Sequence, residues 1–374
     1  MTDVLIVGAG SAGLALAYRL KKLGITPRII DAAAQVATPW RARHDQLTLN
    51  THKSISDIPG MKLPKSYPVY PTRDQYVAYM EDYVKFLAIP IEFNTPAKSI
   101  RRKGDHQWVV ETEKESIECK QVVLCTGSDN TPHIPDWPGR DKFKGELIHG
   151  GSFRHAEDYR DKSVLLVGSG NSSVDIGNHL AKEKLKPSWI SIRGSNWIAP
   201  KFLLGPIQPL FSRMQFLPLS VISVAIKLMG KIFYRDLPAL GIPLPEHGAG
   251  EMFERRFQVP SLDDGFVAAL RRGQFAAVQE IKSLTEDSVE LVNGKIIKPD
   301  AIICATGYKL GFEHLLEDSD ALDERGFPKF YAGDSSAKYP GLWFLGMNTS
   351  LYGNFYIRRQ ESEQLANNIK KALG

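Results

Sequence analysis

Apolar and polar residues follow the same order in two separate stretches of the chain: a short apolar run, a glycine-rich turn and a longer segment with one apolar face. In the first stretch residues 4–7 are all apolar, as in a buried parallel strand, and residues 27–30 form a second short run. Gly24 ends the helical pattern between them. The apolar face of that predicted helix consists of Leu14, Leu16, Leu20 and Leu23. The pattern predicts an α/β unit.

The second stretch repeats this order. Residues 163–167 predict a strand, residues 172–185 a helix and residues 190–192 the next strand. A turn rich in glycine and serine separates the first strand from the helix. The fold class predicted from this repetition is α/β, with two Rossmann-like dinucleotide-binding domains.

The turn of the first unit has the spacing that dinucleotide-binding proteins use. Its first glycine permits a tight turn, its second lets a pyrophosphate approach the backbone, and its third lets helix and strand pack closely. The second strand ends on Asp31, 18 residues after Gly13, where an acid is expected to bind ribose hydroxyls. The residues predicted for this site are Gly8, Gly10, Ser11, Ala12, Gly13, Asp31 and Ala32.

The second turn differs at the residue that follows its second strand. Arg193 stands where the first unit has Asp31, and an arginine suits a 2′-phosphate that an acid would repel. A charge-assisted contact of about 1.5 to 3 kcal/mol favours NADPH over NADH about tenfold to a hundredfold. We therefore predict FAD in the first site and NADPH in the second, with a solvated surface arginine as the alternative. The predicted residues of the second site are Gly168, Ser169, Gly170, Asn171, Ser172, Ser173 and Arg193.

Composition and charge exclude several functional classes. A chain of 374 residues with 43% hydrophobic residues suits two globular domains. The net charge is only +5, and the basic clusters lack interleaved aromatic residues, so no nucleic-acid partner is predicted. The first predicted strand begins at Asp3, which leaves no room for a signal peptide and makes the cytoplasm the default location. A homodimer is an open alternative to a monomer.

The cysteines and histidines point to chemistry supplied by cofactors. Cys119, Cys125 and Cys304 form no CxxC pair, which argues against a dithiol reductase. The nine histidines show no spacing typical of a metal site, and none is predicted.

An apolar stretch at about residues 202–234 predicts a helical insert in the second domain. Its longest uncharged run has 13 residues, 214–226, and contains Pro218, so it is too short to span a bilayer. A buried or lid-like insert is the main interpretation. The alternative is a weak contact with a membrane surface that admits apolar substrates.

Longer motifs resemble one enzyme family over nearly the whole chain. Residues 149–159, HGGSFRHAEDY, resemble the fingerprint FxGxxxHxxxY of the class B flavoprotein monooxygenases, with His149 in place of its Phe. This family comprises flavin-containing, Baeyer–Villiger, N-hydroxylating and plant YUCCA-type indole-3-pyruvate monooxygenases. Residues 124–128 and 303–308 resemble its ATG-type crossings between the FAD and NADPH domains. The cofactor-binding residues implied there are Thr126, Gly127, Ala305, Thr306 and Gly307.

Residues expected beside the flavin come from the same resemblance. Trp40 resembles the tryptophan of the GxW region, and residues 49–51 resemble the Asn-Thr segment of the flavin-containing monooxygenases. YUCCA enzymes lack that asparagine, although residues 244–275 look closest to YUCCA. After the last predicted strand, 341–346, Met347 and Asn348 stand where many flavoproteins have an aspartate. The implied FAD contacts are Trp40, Asn50, Thr51, Ala97, Gly346 and Gly353.

The resemblance implies a definite reaction and domain order. NADPH reduces FAD, O2 forms a C4a-(hydro)peroxyflavin, and one oxygen atom passes to a small organic substrate. Asn50 is the catalytic candidate, as a donor near the peroxide, and its alternative is a turn-capping asparagine. The FAD domain is expected at 1–158 and 301–374, with the NADPH domain at 159–300.

Two rival functions share both turns. One is an FAD/NADPH reductase that passes electrons to a protein or quinone without oxygen transfer, and the other is a non-enzymatic redox sensor. The sequence leaves the substrate open among amines, sulfides, ketones and 2-oxo acids. Candidate partners for a substrate carboxylate are Arg154, Lys201 and Arg256.

Overall fold

The computed structural model of the protein describes residues 1–104, 107–194, 196–256, 258–317, 319–331, 333–347 and 349–374. Asn348, predicted to follow the last strand, lies outside them. The strands of the described part are β1 (Thr2–Val7), β2 (Arg28–Ile30), β3 (Ile91–Glu92), β4 (Ala97–Arg102), β5 (Trp108–Thr112), β6 (Ser116–Leu124), β7 (Thr131–Pro132), β8 (Glu146–His149), β9 (Val164–Val167), β10 (Ser188–Ser191), β11 (Ile198–Pro200), β12 (Ser261–Asp263), β13 (Phe275–Val278), β14 (Ile281–Leu284), β15 (Val289–Leu291), β16 (Ile296–Ile297), β17 (Ala301–Cys304), β18 (Tyr308–Lys309) and β19 (Leu342–Phe344).

The α-helices connect these strands or cover the sheets. Those of the described part are α1 (Ser11–Lys22), α2 (Thr38–Arg41), α3 (Arg73–Leu87), α4 (Asn171–Leu180), α5 (Lys201–Arg213), α6 (Leu219–Phe233), α7 (Ala249–Arg256), α8 (Phe266–Arg271) and α9 (Asn354–Leu373). The predicted helix at 172–185 is shorter than expected. It ends at Leu180, because the next backbone bonds are the shorter i to i−3 bonds of a turn, from Lys182 N–H to His179 O and from Glu183 N–H to Leu180 O.

The first sheet has the strand order β3-β2-β1-β6-β5-β4, and β19 also pairs with β6. Strands β2, β1, β6 and β19 run parallel, whereas β4, β5 and β6 form an antiparallel meander. Helices α1, α3 and α9 contribute buried residues to the core on one face. Apolar residues between 310 and 347 cover the other face. Because β1 and β6 are covered on both faces, they consist of nearly continuous apolar runs.

The second sheet is entirely parallel, in the order β13-β10-β9-β17-β8. Strands β8 and β17 pair with each other in this sheet, and β17 also pairs with β9. The sequence had placed both strands in the first domain, at 1–158 and 301–374. The apolar pattern identifies a strand but not its partner, because pairing depends on which sheet edge the strand reaches.

The two crossings between the sheets lie side by side. After β6 and after β17 the chain continues into β7 and β18, which pair antiparallel, with Tyr308 opposite Pro132. His133 N–H donates to Gly307 O at 3.0 Å, and the Thr306 hydroxyl donates to His133 O. The two segments identified as crossings thus form one ribbon between the lobes.

Helices α5 and α6 lie at residues 201–233, where the sequence predicts a helical insert at about 202–234. Helices α5, α6 and α7 lie between β11 and β12, which pair in parallel. Ile222 and Ile226 of α6 pack in a separate core cluster with Trp197 and Met252. Among the described residues, no helix combines the length and the apolar character that crossing a bilayer requires.

Candidate active site between the two lobes

One cavity of about 1310 Å³ lies between the lobes and brings together most of the predicted site residues. It is bounded by both glycine turns, both crossings, the insert and the start of α9. The predicted residues that line it are Gly8, Gly10, Ser11, Ala12, Asp31, Ala32, Trp40, Asn50, Thr51, Ala97, Thr126, Gly127, Gly170, Asn171, Ser172, Ala305, Gly307, Gly346 and Gly353. The two turns therefore open into the same space.

In the first turn, backbone segments pack so closely that side chains at Gly8 and Gly13 would collide with neighbouring carbonyl groups. Gly8 has φ +109°, and a Cβ on it would lie 2.6 Å from Cys125 O. A Cβ on Gly13 would lie 2.0 Å from Gly8 O, so Gly13 supports the turn from behind and does not line the cavity. A Cβ on Gly10 would meet nothing within 4 Å. This open space in front of the N-terminus of α1 suits a phosphate group.

Asp31 stabilises the turn as well as lining the cavity. Its two carboxylate oxygens accept hydrogen bonds from Ala9 N–H at 2.6 Å and Ala33 N–H at 2.8 Å. Because each oxygen has a second lone pair, both can still accept a ribose hydroxyl.

The second turn has the same geometry with one substitution. Gly168 has φ +125°, and a Cβ on it would lie 2.5 Å from Ala305 O. Ser173 stands at the third glycine position, fully buried, and its hydroxyl donates to Gly168 O at 2.8 Å. Gly168, Ser169 and Ser173 lie behind the turn, while Gly170 to Ser172 face the cavity.

Arg193 lies outside the cavity lining. It is exposed just after β10 and forms no hydrogen bond or ion pair with a described residue. Its position at the carboxyl end of β10, the strand next to β9, corresponds to that of Asp31 after β2. Both sequence interpretations of Arg193, a 2′-phosphate contact and a solvated residue, are compatible with this exposure.

Asn50 lines the cavity with an unpaired side chain. Its amide forms no hydrogen bond with a described residue, which argues against the turn-capping alternative. The backbone around it is held by Gln208 of α5. Gln208 Nε2 donates to Asn50 O at 3.0 Å, and Gln208 Oε1 accepts from His52 N–H at 2.5 Å. The insert therefore positions the Asn50 segment, a role that no local sequence pattern indicates.

Arg358 is a cation in the cavity that no sequence motif indicates. It lies on α9, where Nη1 donates to Ser11 Oγ at 3.3 Å and Nη2 to Gly346 O at 3.0 Å. Its Nε is shielded from solvent and has no hydrogen-bond partner among the described residues. Burial lowers the pKa of this guanidinium. A half-buried cation beside the first turn, with no carboxylate paired to it in the described part of the chain, is arranged to meet an anion.

The fingerprint segment fastens the two lobes together. His149 replaces the fingerprint's Phe, and its ring packs edge-on against Tyr308 with centroids 4.7 Å apart. Its Nε2 also lies 2.9 Å from Gly307 O, a hydrogen bond that Phe could not make. Further along, His155 Nδ1 lies 3.1 Å from an Asp45 oxygen of the first lobe. Histidine in place of the fingerprint's phenylalanine thus adds a hydrogen bond between residue 149 and the second crossing.

A buried group of three potential metal ligands lies at the lobe junction, although the sequence predicted no metal site. His44 Nε2 is 2.9 Å from Asp175 Oδ2, and His179 Nε2 is 3.8 Å from Asp175 Oδ1. Burial disfavours the Asp175 carboxylate, but the His44 hydrogen bond and nearby positive charges keep its pKa below the usual range. Burial lowers the pKa of His179 to about 4, which leaves it neutral. The group ties the His44 loop to α4.

Two of the three residues considered for a substrate carboxylate, Arg154 and Lys201, do not line the cavity. Arg154 donates to the carbonyl oxygens of Gly151 and Phe153. Lys201 is buried and donates to Thr48 Oγ1 at 2.8 Å. The side chain of Arg256 lies outside the described part of the chain. All three cysteines are free and buried, and burial raises the pKa of Cys119 and Cys304 to about 12.

The chain is similar to flavin-dependent monooxygenases of known sequence and structure. Residues 5–201 match the family model for pyridine nucleotide-disulphide oxidoreductases. Over 347 residues the chain is 30% identical to a probable indole-3-pyruvate monooxygenase, YUCCA9 of Arabidopsis thaliana, with 90% of this chain and 80% of that protein covered. The flavin-containing monooxygenase from Stenotrophomonas maltophilia superposes with a TM-score of 0.74 at 19% identity, covering 100% of this chain and 99% of its own. OTEMO in complex with FAD and NADP superposes with a TM-score of 0.77 at 18% identity, covering 99% and 85%. The structural likenesses confirm the predicted fold.

The residues around the first turn fit FAD. The open space at Gly10 and the unpartnered Arg358 Nε suit its pyrophosphate. The buried Thr126 hydroxyl also has no partner among the described residues. Trp40, stacked with Phe355 at a centroid distance of 6.1 Å, adds an aromatic wall. These orphaned polar groups and the aromatic surface together match a large anionic cofactor with a flat ring.

We predict that Arg358→Gln weakens FAD binding about tenfold to a hundredfold, the loss expected for one charge-assisted contact. Flavin fluorescence, titrated into the apoprotein, measures the Kd. Arg358→Lys keeps the charge and should lose less affinity. Lys370→Gln, an exposed change on the same helix, is the control. An Arg358→Gln protein that binds FAD as tightly as the control would show that this guanidinium does not contact the pyrophosphate.

Proposed function

We propose a reaction for this protein from the family to which it belongs. The chain is a pyridine nucleotide-disulphide oxidoreductase and, within that family, a class B flavoprotein monooxygenase. It is an oxidoreductase that uses FAD and NADPH. The proposed reaction transfers one atom of O2 to a small, largely apolar substrate, while the other atom leaves as water. The observation that carries the proposal is the single cavity that joins both glycine turns to Asn50 and to the inner face of the insert.

The two turns are proposed to hold different nucleotides. The first turn, with Asp31 and Arg358, would bind FAD, and the second, with Asn171 and Ser172, would bind NADPH. When bound, FAD and NADPH supply the electrons that activate O2. The paired crossings would hold the redox rings of the two cofactors close together, because both turns pack against the start of a crossing.

The insert is proposed to exclude water from the reacting centre. Its cavity-facing residues are mostly apolar, and an activated oxygen species survives longer where water is excluded. These residues are Ile207, Phe211, Ile222, Ile226 and Met229. Asn50, whose amide is free, is proposed to donate a hydrogen bond to the oxygen that is transferred.

An aromatic 2-oxo acid is the substrate class we propose. The Arabidopsis relative is named for indole-3-pyruvate, which belongs to that class. The apolar wall of the insert would contact an aromatic side chain. Gln208 and Gln258 both line the cavity, and their Nε2 amide groups can donate hydrogen bonds to the oxygens of the acid. The cytoplasmic location and the homodimer stay predictions from the sequence.

Oxygen transfer can be measured with isotopically labelled O2. We expect the holoenzyme, given NADPH and indole-3-pyruvate, to release CO2 and place one labelled oxygen in the acid product per NADPH consumed. A tertiary amine and a cyclic ketone are tested in parallel. Labelled product from one of these alone would keep oxygen transfer but overturn the substrate class. NADPH oxidation that yields only H2O2, or only a reduced quinone, would contradict oxygen transfer itself.

Asn50→Ala should lower the rate of product formation by about a hundredfold to a thousandfold, the typical loss of one preorganised donor. More H2O2 should be released per NADPH, because the activated oxygen decays before transfer. The control is Asn293→Ala, which changes an exposed turn remote from the cavity. Product and H2O2 yields equal to those of the control would rule out a role for the Asn50 amide.

Arg193→Ala tests the assignment of the second nucleotide. The Kd for NADPH should rise about tenfold to a hundredfold, whereas the Kd for NADH should change little, because only NADPH carries the 2′-phosphate. Binding is measured by titration of the oxidised holoenzyme. An equal loss for both nucleotides would remove the basis for the NADPH preference.

A further inference from the structure

The outer face of α6 is apolar and has no partner in the described chain. Val221, Val224, Leu228 and Ile232 are exposed by 48%, 67%, 57% and 63%, and their spacing places them along one stripe of the helix. The opposite face, with Ile222 and Ile226, is buried against the protein. Helix α6 therefore has two apolar faces, one buried against the protein and one exposed.

Helix α5 and the loop that follows it expose further large apolar side chains, and Phe202 of α5 packs edge-on against Phe233 of α6. Phe202, Leu210 and Phe216 are exposed by 68%, 62% and 79%. Of the fourteen large apolar side chains that are exposed among the described residues, eight lie between 202 and 232. Single exposed apolar residues are ordinary, but this concentration on one surface marks an interaction site.

A row of cations runs along the edge of the apolar stripe. Lys227, Lys231 and Arg235 follow one another at intervals of four residues, all exposed, and none forms an ion pair with a described residue. Residues 201–235 contain five basic residues and no acidic one. The surface is thus apolar in the middle and positive at its rim.

The cationic row also borders a groove of about 390 Å³. Its wall includes Trp197, Leu244 and His247, together with the three cations and one exposed acid, Glu246, so the charged side chains give the groove a net positive charge. Trp197 is fixed there, since its indole N–H donates to His247 O at 2.9 Å. A concave site that combines an indole, an apolar wall and three positive charges against one negative charge suits a phosphate group attached to an apolar chain.

We propose that the outer face of α5 and α6 docks on an anionic phospholipid surface. The apolar stripe enters the boundary between headgroups and acyl chains, and the cationic row binds lipid phosphates. A second copy of the chain fits this surface less well, because a two-fold contact would bring the two cationic rows together. The inner face of α6 lines the cavity, so docking places the candidate active site next to the lipid.

Vesicle sedimentation with the holoenzyme tests this proposal. We expect binding to vesicles of phosphatidylglycerol and phosphatidylcholine in equal parts, weaker binding in high salt, and little binding to phosphatidylcholine alone. Lys227→Gln with Lys231→Gln should lower the partition coefficient at least about tenfold. Val224→Ser with Leu228→Ser should do the same, because the apolar contact is lost.

Matched double variants elsewhere serve as controls. Val292→Ser with Ile296→Ser removes two apolar residues of similar exposure, and Lys370→Gln with Lys371→Gln removes two exposed cations. Both should bind vesicles like the unchanged protein. Equal losses in test and control variants, or no binding to the anionic vesicles, would overturn the proposal. So would a dimer in sedimentation velocity that Val224→Ser with Leu228→Ser dissociates, since a second copy would then cover the face.

Discussion

Each glycine turn packs directly against a backbone carbonyl group at the start of one of the two crossings between the lobes. A side chain at Gly8 would collide with Cys125 O, and one at Gly168 would collide with Ala305 O. The two crossings then pair with each other as β7 and β18. Both turns are therefore held against the same ribbon and open into one cavity. The proposed electron transfer between two nucleotides depends on this arrangement.

The insert connects the cavity to the rest of the molecule. One face of α5 and α6 lines the cavity, while Gln208 holds the backbone of the Asn50 segment through two hydrogen bonds. Movement of the insert would therefore displace Asn50, the proposed hydrogen-bond donor, and also open the apolar wall. This coupling gives a physical reason for the proposed substrate contacts and the proposed docking surface to lie on opposite sides of the same helices.

The sequence predicted the parts of the structure that depend on local chemistry. The turns at Gly8 and Gly168, the acid at Asp31 and the apolar strands follow fixed spacings, and the structure places them as expected. Arg358 and Gln208 could not be found in this way, because each contacts a segment that is more than 150 residues distant along the chain. The same limit explains why β8 and β17 were assigned to the first domain and why Arg154 and Lys201 were considered for the substrate. Burial and pairing of those residues are decided by tertiary packing.

The central claim is that the two turns hold FAD and NADPH close enough for electron transfer. Anaerobic mixing of the FAD-loaded protein with NADPH, followed by flavin absorbance, tests it most directly. If the two turns hold the nucleotides face to face, the flavin absorbance band should bleach completely with stoichiometric NADPH, in a single binding-dependent phase. A flavin that remains oxidised when NADPH is bound, or a protein that cannot be reconstituted with FAD, would contradict the account.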